Sequence, residues 1–208
     1  MPVPAPKWTR QPELRPRQIM AAALDVFAAK GFERATMDEV AEAAGVTKGT
    51  IYLYFRNKLD LFIQTLRTHV EGVTDLLPSV RVAAGEDVEA GARLLAKALL
   101  DVLMTPTMTK VFHLFIAEVK QIPELRQAYI EEWLPQAGLR IATLLEEGVR
   151  SGALRPLDPV ITARAIMGMF SAFVLTQEVF GMKDITPMPL DEIANTIVTI
   201  SFRGVLAS

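Results

Sequence analysis

The residues best suited to chemistry lie in one short stretch, Lys48 to Leu53, and they suggest recognition rather than catalysis. Lys48 places a positive charge at a predicted helix start, where the helix dipole disfavours it. Gly49 inside a helix costs about 1 kcal/mol relative to alanine, and Leu53 places an apolar side chain where solvent is expected. A DNA surface accounts for all three features, because glycine admits the backbone closely, lysine meets phosphate and leucine contacts a thymine methyl.

Two short helices are predicted to position this stretch. Thr36, followed by a glutamate three residues later, forms a capping box that starts the first helix. Gly45 ends that helix in a left-handed turn, and Thr47 is the N-cap of the second helix. Ile51 and Phe55, four residues apart, then face inward. The sequence therefore predicts a helix-turn-helix, and the competing interpretation is a short surface helix of unfavourable composition.

The run from Arg17 to Phe62 resembles the N-terminal domain of the TetR (tetracycline-repressor) family of bacterial transcriptional regulators. The resemblance implies an all-α fold of about nine helices, with a three-helix helix-turn-helix domain and a larger helical domain for ligand binding and dimerisation. It covers about a quarter of the chain at the sequence level. The matching positions are Gly31, Phe32, Thr36, Val40, Ala41, Ala44, Gly45, Val46, Gly49, Thr50, Tyr52, Phe55, Lys58, Leu61 and Phe62.

The second helix of the motif is expected to enter the major groove of double-stranded DNA. Thr50, Tyr52 and Leu53 are predicted to face base edges and the nearby backbone, while Gly49 permits close approach. The residues predicted to hold phosphates are Thr36, Thr47, Lys48, Tyr54 and Lys58.

Prolines and glycines divide the chain into three predicted regions. We expect a disordered arm over 1–16, the DNA-binding domain over 17–63, and a ligand-sensing and dimerisation domain over 64–208. A loop around 84–86 separates the domains. The predicted helices beyond the motif are 17–30, 58–77, 87–104, 107–120, 123–150, 159–181 and 189–205.

An enzyme is the rival class, and the sequence gives it little support. The chain of 208 residues has no cysteine, which excludes disulfides and thiolate metal sites. His69 and His113 have no metal-ligand spacing, and no glycine-rich phosphate loop or nucleophile elbow is present. We therefore expect no catalytic residue, no metal and no cofactor.

The charge is divided between the two predicted domains. Residues 1–67 hold ten Lys or Arg against seven Asp or Glu, a net charge of +3, and residues 68–208 have a net charge of −5. The basic excess thus accompanies the motif, as DNA binding requires. A nucleoid or accessory DNA-binding protein without a ligand is an alternative, but a protein of that class is expected to carry a stronger positive charge.

The sequence also bears on localisation. The first 17 residues lack the apolar core of a secretory signal. The longest uncharged apolar run, 165–177, is shorter than the roughly 20 residues that a membrane span needs. We expect a soluble cytoplasmic protein with no membrane partner.

The last two helices are apolar on more than one face, which favours burial on several sides. In the family, the corresponding helices pair with their copies, so the resemblance implies a homodimer that binds a palindromic operator. Burial within one chain remains the alternative.

The second domain is expected to bind a small, apolar effector of unknown identity. Methionine and aromatic side chains suit a deformable pocket, although such residues at helical spacing are more commonly core. Glu178 is a further polar candidate. The candidate pocket residues are Met104, Met108, Phe112, His113, Phe115, Trp133, Met167, Phe170, Phe173 and Gln177.

Overall fold

The computed structural model describes residues 14–74 and 88–205, and this part of the chain is all-α, as predicted. Two compact units make up the fold; the first ends at Thr65 and the second begins at Leu66. Counting residues 123–150 as one run gives nine helical runs in the described ranges. The helices are α1 (Arg15–Arg34), α2 (Met37–Ala43), α3 (Lys48–Tyr52), α4 (Lys58–Thr74), α5 (Val88–Leu103), α6 (Pro106–Glu118), α7 (Pro123–Ala128), α8 (Leu134–Arg150), α9 (Pro159–Val174) and α10 (Leu190–Val205).

Side-chain caps start the helices around the motif, and the caps predicted at Thr36 and Thr47 are confirmed. The Thr36 hydroxyl accepts from the Glu39 amide at 3.3 Å, and the Glu39 carboxylate accepts from the Thr36 amide at 3.0 Å. Thr47 Oγ1 accepts from the Thr50 amide at 3.2 Å. Asn57 Oδ1 accepts from the Asp60 amide at 2.9 Å and so starts α4. These bonds satisfy amides that the first helical turn leaves unpaired.

Helix α1 differs from its predicted bounds at both ends. It begins at Arg15 rather than Arg17, with Pro16 in its first turn, where a missing N–H is tolerated. The predicted stop at Gly31 is confirmed as a break, because this residue has φ 76° and ψ 166°. A further helical turn then reaches Arg34.

Aromatic side chains dominate the core of the first unit. The rings of Phe27 and Phe62 meet edge to face at 5.0 Å, and Phe32 packs on Phe62 at the same centroid distance. Ile51 and Phe55 are buried, as the motif predicted. The core thereby holds α3 in place from its inner side.

The sequence of α4 places apolar residues at helical spacing, and the buried stripe that this spacing predicts, Leu59, Phe62, Ile63, Leu66 and Val70, is only partly observed. Phe62 and Leu66 are buried, whereas the predicted stripe residues Leu59, Ile63 and Val70 are half-exposed. The fully buried positions include Leu61 and Thr65 instead. The Thr65 hydroxyl donates to the Leu61 carbonyl at 2.7 Å, which allows this polar side chain to lie in the core.

Two apolar clusters lie in the described part of the second unit. One joins α5 to α10, and half-buried side chains of Met104, Phe170 and Phe173 pack against it. The other joins α8 to α9 around Leu154. A Cβ at Gly148 would lie 2.6 Å from Leu154 Cδ1, so a larger residue there would force the Leu154 side chain to shift. The buried members of the clusters are Ala96, Leu100, Ile193, Ala194, Ile197 and Val198 in the first, and Ala142, Leu145, Leu154 and Ala163 in the second.

Two π-helical turns interrupt the α-helices of the second unit, and neither was predicted. Tyr129–Trp133 joins α7 to α8, with the Leu134 amide bonded to the Tyr129 carbonyl. Leu175–Val179 follows α9 and closes with a bond of 2.8 Å from the Phe180 amide to the Leu175 carbonyl. Pro135 is the sequence signal for the first turn, since a proline cannot donate the bond that an α-helix needs there.

One helical run in the described part of the chain has unexpected length and apolarity. Pro159–Val179 spans 21 residues and is long and apolar enough to cross a membrane, although only 11% of its most apolar window is buried in the chain. The uncharged stretch within this run is 165–177, as the sequence indicated, because the run also contains Arg164 and Glu178. The core helix of a soluble protein meets the same criteria, so this one helix is weak evidence for a membrane span.

Three sequence predictions fall outside the described residues. They are most of the arm over 1–16, the loop around 84–86, and the end of the fourth helix at 75–77.

Candidate DNA-binding surface and effector-binding residues

Helix α3 and the turn after it present an apolar and aromatic surface. Tyr52 is 48% exposed and Leu53 is 80% exposed, although side chains of these types usually lie inside a protein. The helix ends at Tyr52, so Leu53 and Tyr54 belong to the following turn rather than to a longer helix. The predicted outward direction of these side chains is therefore observed, and their contacts with DNA stay a prediction.

Gly49 is not required by the packing of its own domain. A Cβ built at this position would meet only the Thr47 hydroxyl, at an ordinary contact distance of 3.8 Å. Its backbone angle is also not in the left-handed region, in contrast to Gly45 with φ 63°. The fold leaves open space beside Gly49, and a closely approaching partner surface would account for the glycine.

The threonines of the motif have structural roles. Thr47 Oγ1 lies 2.9 Å from Thr50 Oγ1, in addition to capping α3. Thr36 caps α2. Both caps keep exposed positions, so a phosphate oxygen can still approach their hydroxyl groups.

Lys48 forms an ion pair that the sequence did not predict. Its Nζ lies 2.8 Å from Asp38 Oδ2, and the hydrogen bond to Asp38 raises the pKa of Lys48 above its usual value. Both side chains are exposed. A DNA phosphate that binds Lys48 would therefore take the place of the Asp38 carboxylate. Both ion pairs are exposed, so high salt screens and weakens them.

A second ion pair supports α2 from α1. Lys30 Nζ lies 2.6 Å from Glu39 Oε1. Two hydrogen bonds lower the pKa of Glu39 below its usual value: the bond from Lys30 has the larger effect, and the bond from the Thr36 backbone amide has the next largest. The capping carboxylate is thus held ionised.

Lys58 has an intramolecular role that the sequence did not indicate. Its Nζ donates to the carbonyls of Phe32 at 2.7 Å, Glu33 at 3.0 Å and Ala35 at 3.1 Å. The ammonium also lies 4.4 Å from the centroid of the Phe32 ring. An ammonium has three N–H donors, and all three are used in these bonds to carbonyls at the carboxyl end of α1. The phosphate contact predicted for Lys58 competes with this role.

The predicted pocket residues differ in burial and in the contacts that they make. Met108, Trp133 and Gln177 are buried, and His113 is exposed with Nε2 3.1 Å from the Val179 carbonyl. Phe115 packs beside Trp133, with 6.4 Å between ring centroids. The half-buried members of the predicted set are Met104, Phe112, Phe115, Met167, Phe170 and Phe173, of which Met104, Phe170 and Phe173 pack on the α5–α10 cluster.

An open surface depression lies near the junction of α8 and α9 and contains none of the predicted pocket residues. It is lined by Glu146, Val149, Arg150, Leu157 and Pro159. Within residues 14–74 and 88–205, no group of three His, Asp or Glu side chains is placed to hold a metal ion.

The capped helix-turn-helix followed by a helical second unit is the architecture of a DNA-binding regulator, and comparison with known families agrees. Residues 19–65 match the model for bacterial regulatory proteins of the tetR family. Residues 92–204 match the model for the C-terminal domain of AefR-like transcriptional repressors. The chain belongs to the TetR family of transcriptional regulators and is not an enzyme.

Several relatives match along most of their length. The chain is 28% identical over 201 residues to the HTH-type transcriptional regulator YhgD of Bacillus subtilis (strain 168), covering 93% of this chain and 98% of the relative. It is 28% identical over 200 residues to the fatty acid metabolism regulator protein of the same strain, covering 90% and 94%. The crystal structure of the regulator FadR from Bacillus subtilis in complex with stearoyl-CoA superposes with a TM-score of 0.71 at 26% identity, covering 90% of this chain and 98% of that one.

Proposed function

We propose that this protein is a homodimeric, cytoplasmic repressor that binds a palindromic operator and is released by a small molecule with an apolar body. The observation that carries the proposal is the exposed surface at α3, where Thr47 caps the helix, Gly49 and Tyr52 are exposed on it, and Leu53 is exposed in the turn that follows. A short capped helix with an apolar and aromatic outer face suits the edges of bases in a major groove.

The direction of regulation is supported by the second unit. Its sequence matches the C-terminal domain of AefR-like transcriptional repressors. A ligand that binds more tightly to the form with wrongly spaced recognition helices shifts the population away from DNA. Helix α4 carries residues of both units and is the element through which we expect the second unit to act on the first.

Dimerisation is supported by the outer face of α9. The exposed side chains Ile161, Ala165 and Ala172 recur at helical spacing on one face, and Gly168 lies between them with open space around it. Small and apolar residues along one face allow two helices to pack closely. Exposed apolar side chains on one helical face mark an interface, so we assign this face and the neighbouring surface of α10 to a second copy of the chain.

The effector class is supported by the relatives. One is a fatty acid metabolism regulator, and a similar structure was determined with stearoyl-CoA. Met108, Phe112 and Phe115 lie on one helix of the second unit and offer apolar surface to an acyl chain. We therefore propose a long-chain acyl compound as the effector.

Selection of bound sequences from random duplex DNA tests the proposal. The parent is expected to enrich an inverted repeat with half-sites one or more DNA turns apart. The variant Tyr52→Ala, Leu53→Ala is expected to lose this enrichment, because it removes the exposed face of α3 without touching the core.

Leu139→Ala is the matched control, since Leu139 is exposed in the second unit. It should enrich the same repeat as the parent. Binding without sequence preference would instead favour an accessory or nucleoid protein, and equal enrichment by the α3 variant would contradict the assignment of the DNA-binding face.

A further inference from the structure

Three buried side-chain N–H groups among the described residues of the second unit lack a hydrogen-bond acceptor. One is Arg67 Nε, whose guanidinium is already paired with Glu132, and the other two belong to Trp133 and Gln177. Trp133 is 3% exposed and Gln177 is 2% exposed, yet Trp133 Nε1 and Gln177 Nε2 have no partner among the described residues. A buried donor loses its bonds to water on folding, so native structures nearly always provide an acceptor. A pair of such donors is expected where a ligand supplies the acceptor.

Both donors lie in π-helical turns. Trp133 ends the turn Tyr129–Trp133, and Gln177 is the central residue of the turn Leu175–Val179. A π turn adds one residue to a helical turn and rotates the following side chains, and such turns occur frequently at functional sites. Each irregular turn therefore places one unpaired donor inside the unit.

Helix α6 contacts both turns. The Phe115 ring lies 4.7 Å from the Tyr129 ring and 6.4 Å from the Trp133 ring. Farther back on the same helix, Thr109 Oγ1 donates to Glu178 Oε2 at 3.1 Å. One helix thus connects the two donor-bearing turns and adds an aromatic side chain next to the Trp133 ring.

The acidic side chains beside the donors are already paired. Glu178 accepts from Lys183 at 2.5 Å, and this bond raises the pKa of Lys183 above its usual value. Glu132, next to Trp133, accepts from the guanidinium of Arg67 on α4. Neither carboxylate needs a cationic ligand, and the free groups are donors, so the chemistry favours a ligand with oxygen acceptors.

We propose that Trp133 Nε1 and Gln177 Nε2 are the polar recognition groups of the effector site, and that they bind carbonyl or carboxylate oxygens of the effector. This inference rests on the proposed function, because it assigns the polar contacts of the same effector. The ligand has an apolar body beside Phe115 and an oxygen-bearing end at the two π turns. The pairing of Arg67 with Glu132 connects one of these turns to α4.

The test compares the parent with Gln177→Met, which keeps the length of the side chain and removes its N–H groups. Binding of dodecanoic acid, dodecanoyl-CoA, dodecane and free CoA is measured by calorimetry and by the shift in melting temperature. We expect at least one of the two carbonyl-containing probes to bind the parent. Gln177→Met should weaken that binding by about 10-fold, the loss of one hydrogen bond.

Gln127→Met is the matched control. Gln127 is exposed on α7 and donates to Glu131, so the same substitution there should leave affinity for the probe unchanged. The two acyl probes distinguish a free acid from an acyl thioester as the source of the oxygen. Trp133→Phe provides a second test of the other donor.

A free-protein melting temperature that is unchanged or higher in Gln177→Met supports an unpaired donor, because the substitution removes a group that is costly to bury. A fall of more than about 4 °C would show that the amide has a partner in the fold and would overturn the inference. Equal binding of dodecane and dodecanoic acid, failure of every probe to bind, or equal affinity of the two proteins would also overturn it. Sequence-selective DNA binding by the parent is measured in a separate experiment, so a failure of the effector-site proposal can be distinguished from a failure of the proposed function.

Discussion

The two units of this regulator differ in where their polar groups find partners. In the first unit, Lys58 bonds to three carbonyls and Lys48 pairs with Asp38, while apolar side chains remain exposed on α3. In the second unit, buried N–H groups of Trp133 and Gln177 have no acceptor. Among its described residues, the first unit has no buried side-chain donor or acceptor without a hydrogen-bond partner. In the second unit, the unpaired N–H groups are buried, where a bound small molecule can supply their hydrogen-bond acceptors.

The largest expected effect concerns the outer face of α9. Ile161 is 68% exposed, and Ile161→Glu places a charge on the proposed dimer interface. We expect a monomer by sedimentation. Operator affinity should fall by about 100-fold or more, because the second half-site contact is no longer intramolecular.

Leu94→Glu is the control for that substitution, since Leu94 is an exposed apolar residue of α5. It should leave the protein dimeric. Identical sedimentation of the Ile161→Glu variant and the parent would exclude this face of α9 as the interface.

The sequence predicted the first unit better than the second for a physical reason. Capping boxes and left-handed glycines act over three or four residues, so Thr36, Gly45 and Thr47 identify helix ends without tertiary information. The three carbonyls that bind Lys58 lie 23 to 26 residues away in the chain, and no local pattern announces them. Phosphate binding was the natural expectation for a lysine at a helix start.

The second unit was predicted only in outline. Helix ends followed from prolines, but the π turns depend on packing against α6 as well as on Pro135. Methionine and phenylalanine at helical spacing do not distinguish a pocket from a core. Phe170 and Phe173, both predicted pocket residues, pack on the α5–α10 cluster, whereas Trp133 and Gln177 lie in the irregular turns.

The next prediction concerns two lysines of the first unit, Lys58 and Lys48, whose substitution should affect stability differently. Lys58→Met leaves three carbonyls without their charged donor and should lower the free energy of unfolding by about 2 kcal/mol. Chemical denaturation followed by circular dichroism measures this change.

Lys48→Met is the matched substitution, and its exposed ion pair should contribute little to stability. Instead, it should weaken operator binding and reduce by about one the slope of log affinity against log salt. A stable Lys58→Met protein with a reduced salt slope would show that Lys58 binds phosphate after all.

A smaller effect distinguishes two exposed helical glycines. Gly49→Ala should raise the free energy of unfolding by up to about 1 kcal/mol, because nothing in the domain obstructs the added methyl group. The same methyl should lower operator affinity by about 10-fold if DNA approaches this backbone closely, a cost comparable to one lost contact. Fluorescence anisotropy and thermal melting measure the two changes.

Gly72→Ala is its control, since a Cβ at Gly72 also meets nothing within 4 Å. Stability should rise similarly there, with no change in operator affinity. Unchanged affinity in Gly49→Ala would mean that DNA does not approach α3 at this position.

The smallest effect is the pH dependence of the α2 cap. Because the folded-state pKa of Glu39 is lowered, its contribution to stability is present above the unfolded-state pKa and is lost as pH falls through the folded value. Glu39→Gln keeps the capping shape without the charge. The parent should therefore lose more stability than this variant on acidification from pH 6 to about pH 3, as measured by thermal melting.

Operator binding in the presence of an acyl probe tests the central claim most directly. Fluorescence anisotropy follows a labelled operator with the parent, Tyr52→Ala, and Gln177→Met, each titrated with dodecanoyl-CoA or dodecanoic acid. The account predicts that the parent binds and is released by at least one probe, that Tyr52→Ala binds weakly from the start, and that Gln177→Met binds fully but needs about 10-fold more probe for release. Release of Gln177→Met at the same probe concentration as the parent, together with normal binding by Tyr52→Ala, would contradict the division of roles between the two units.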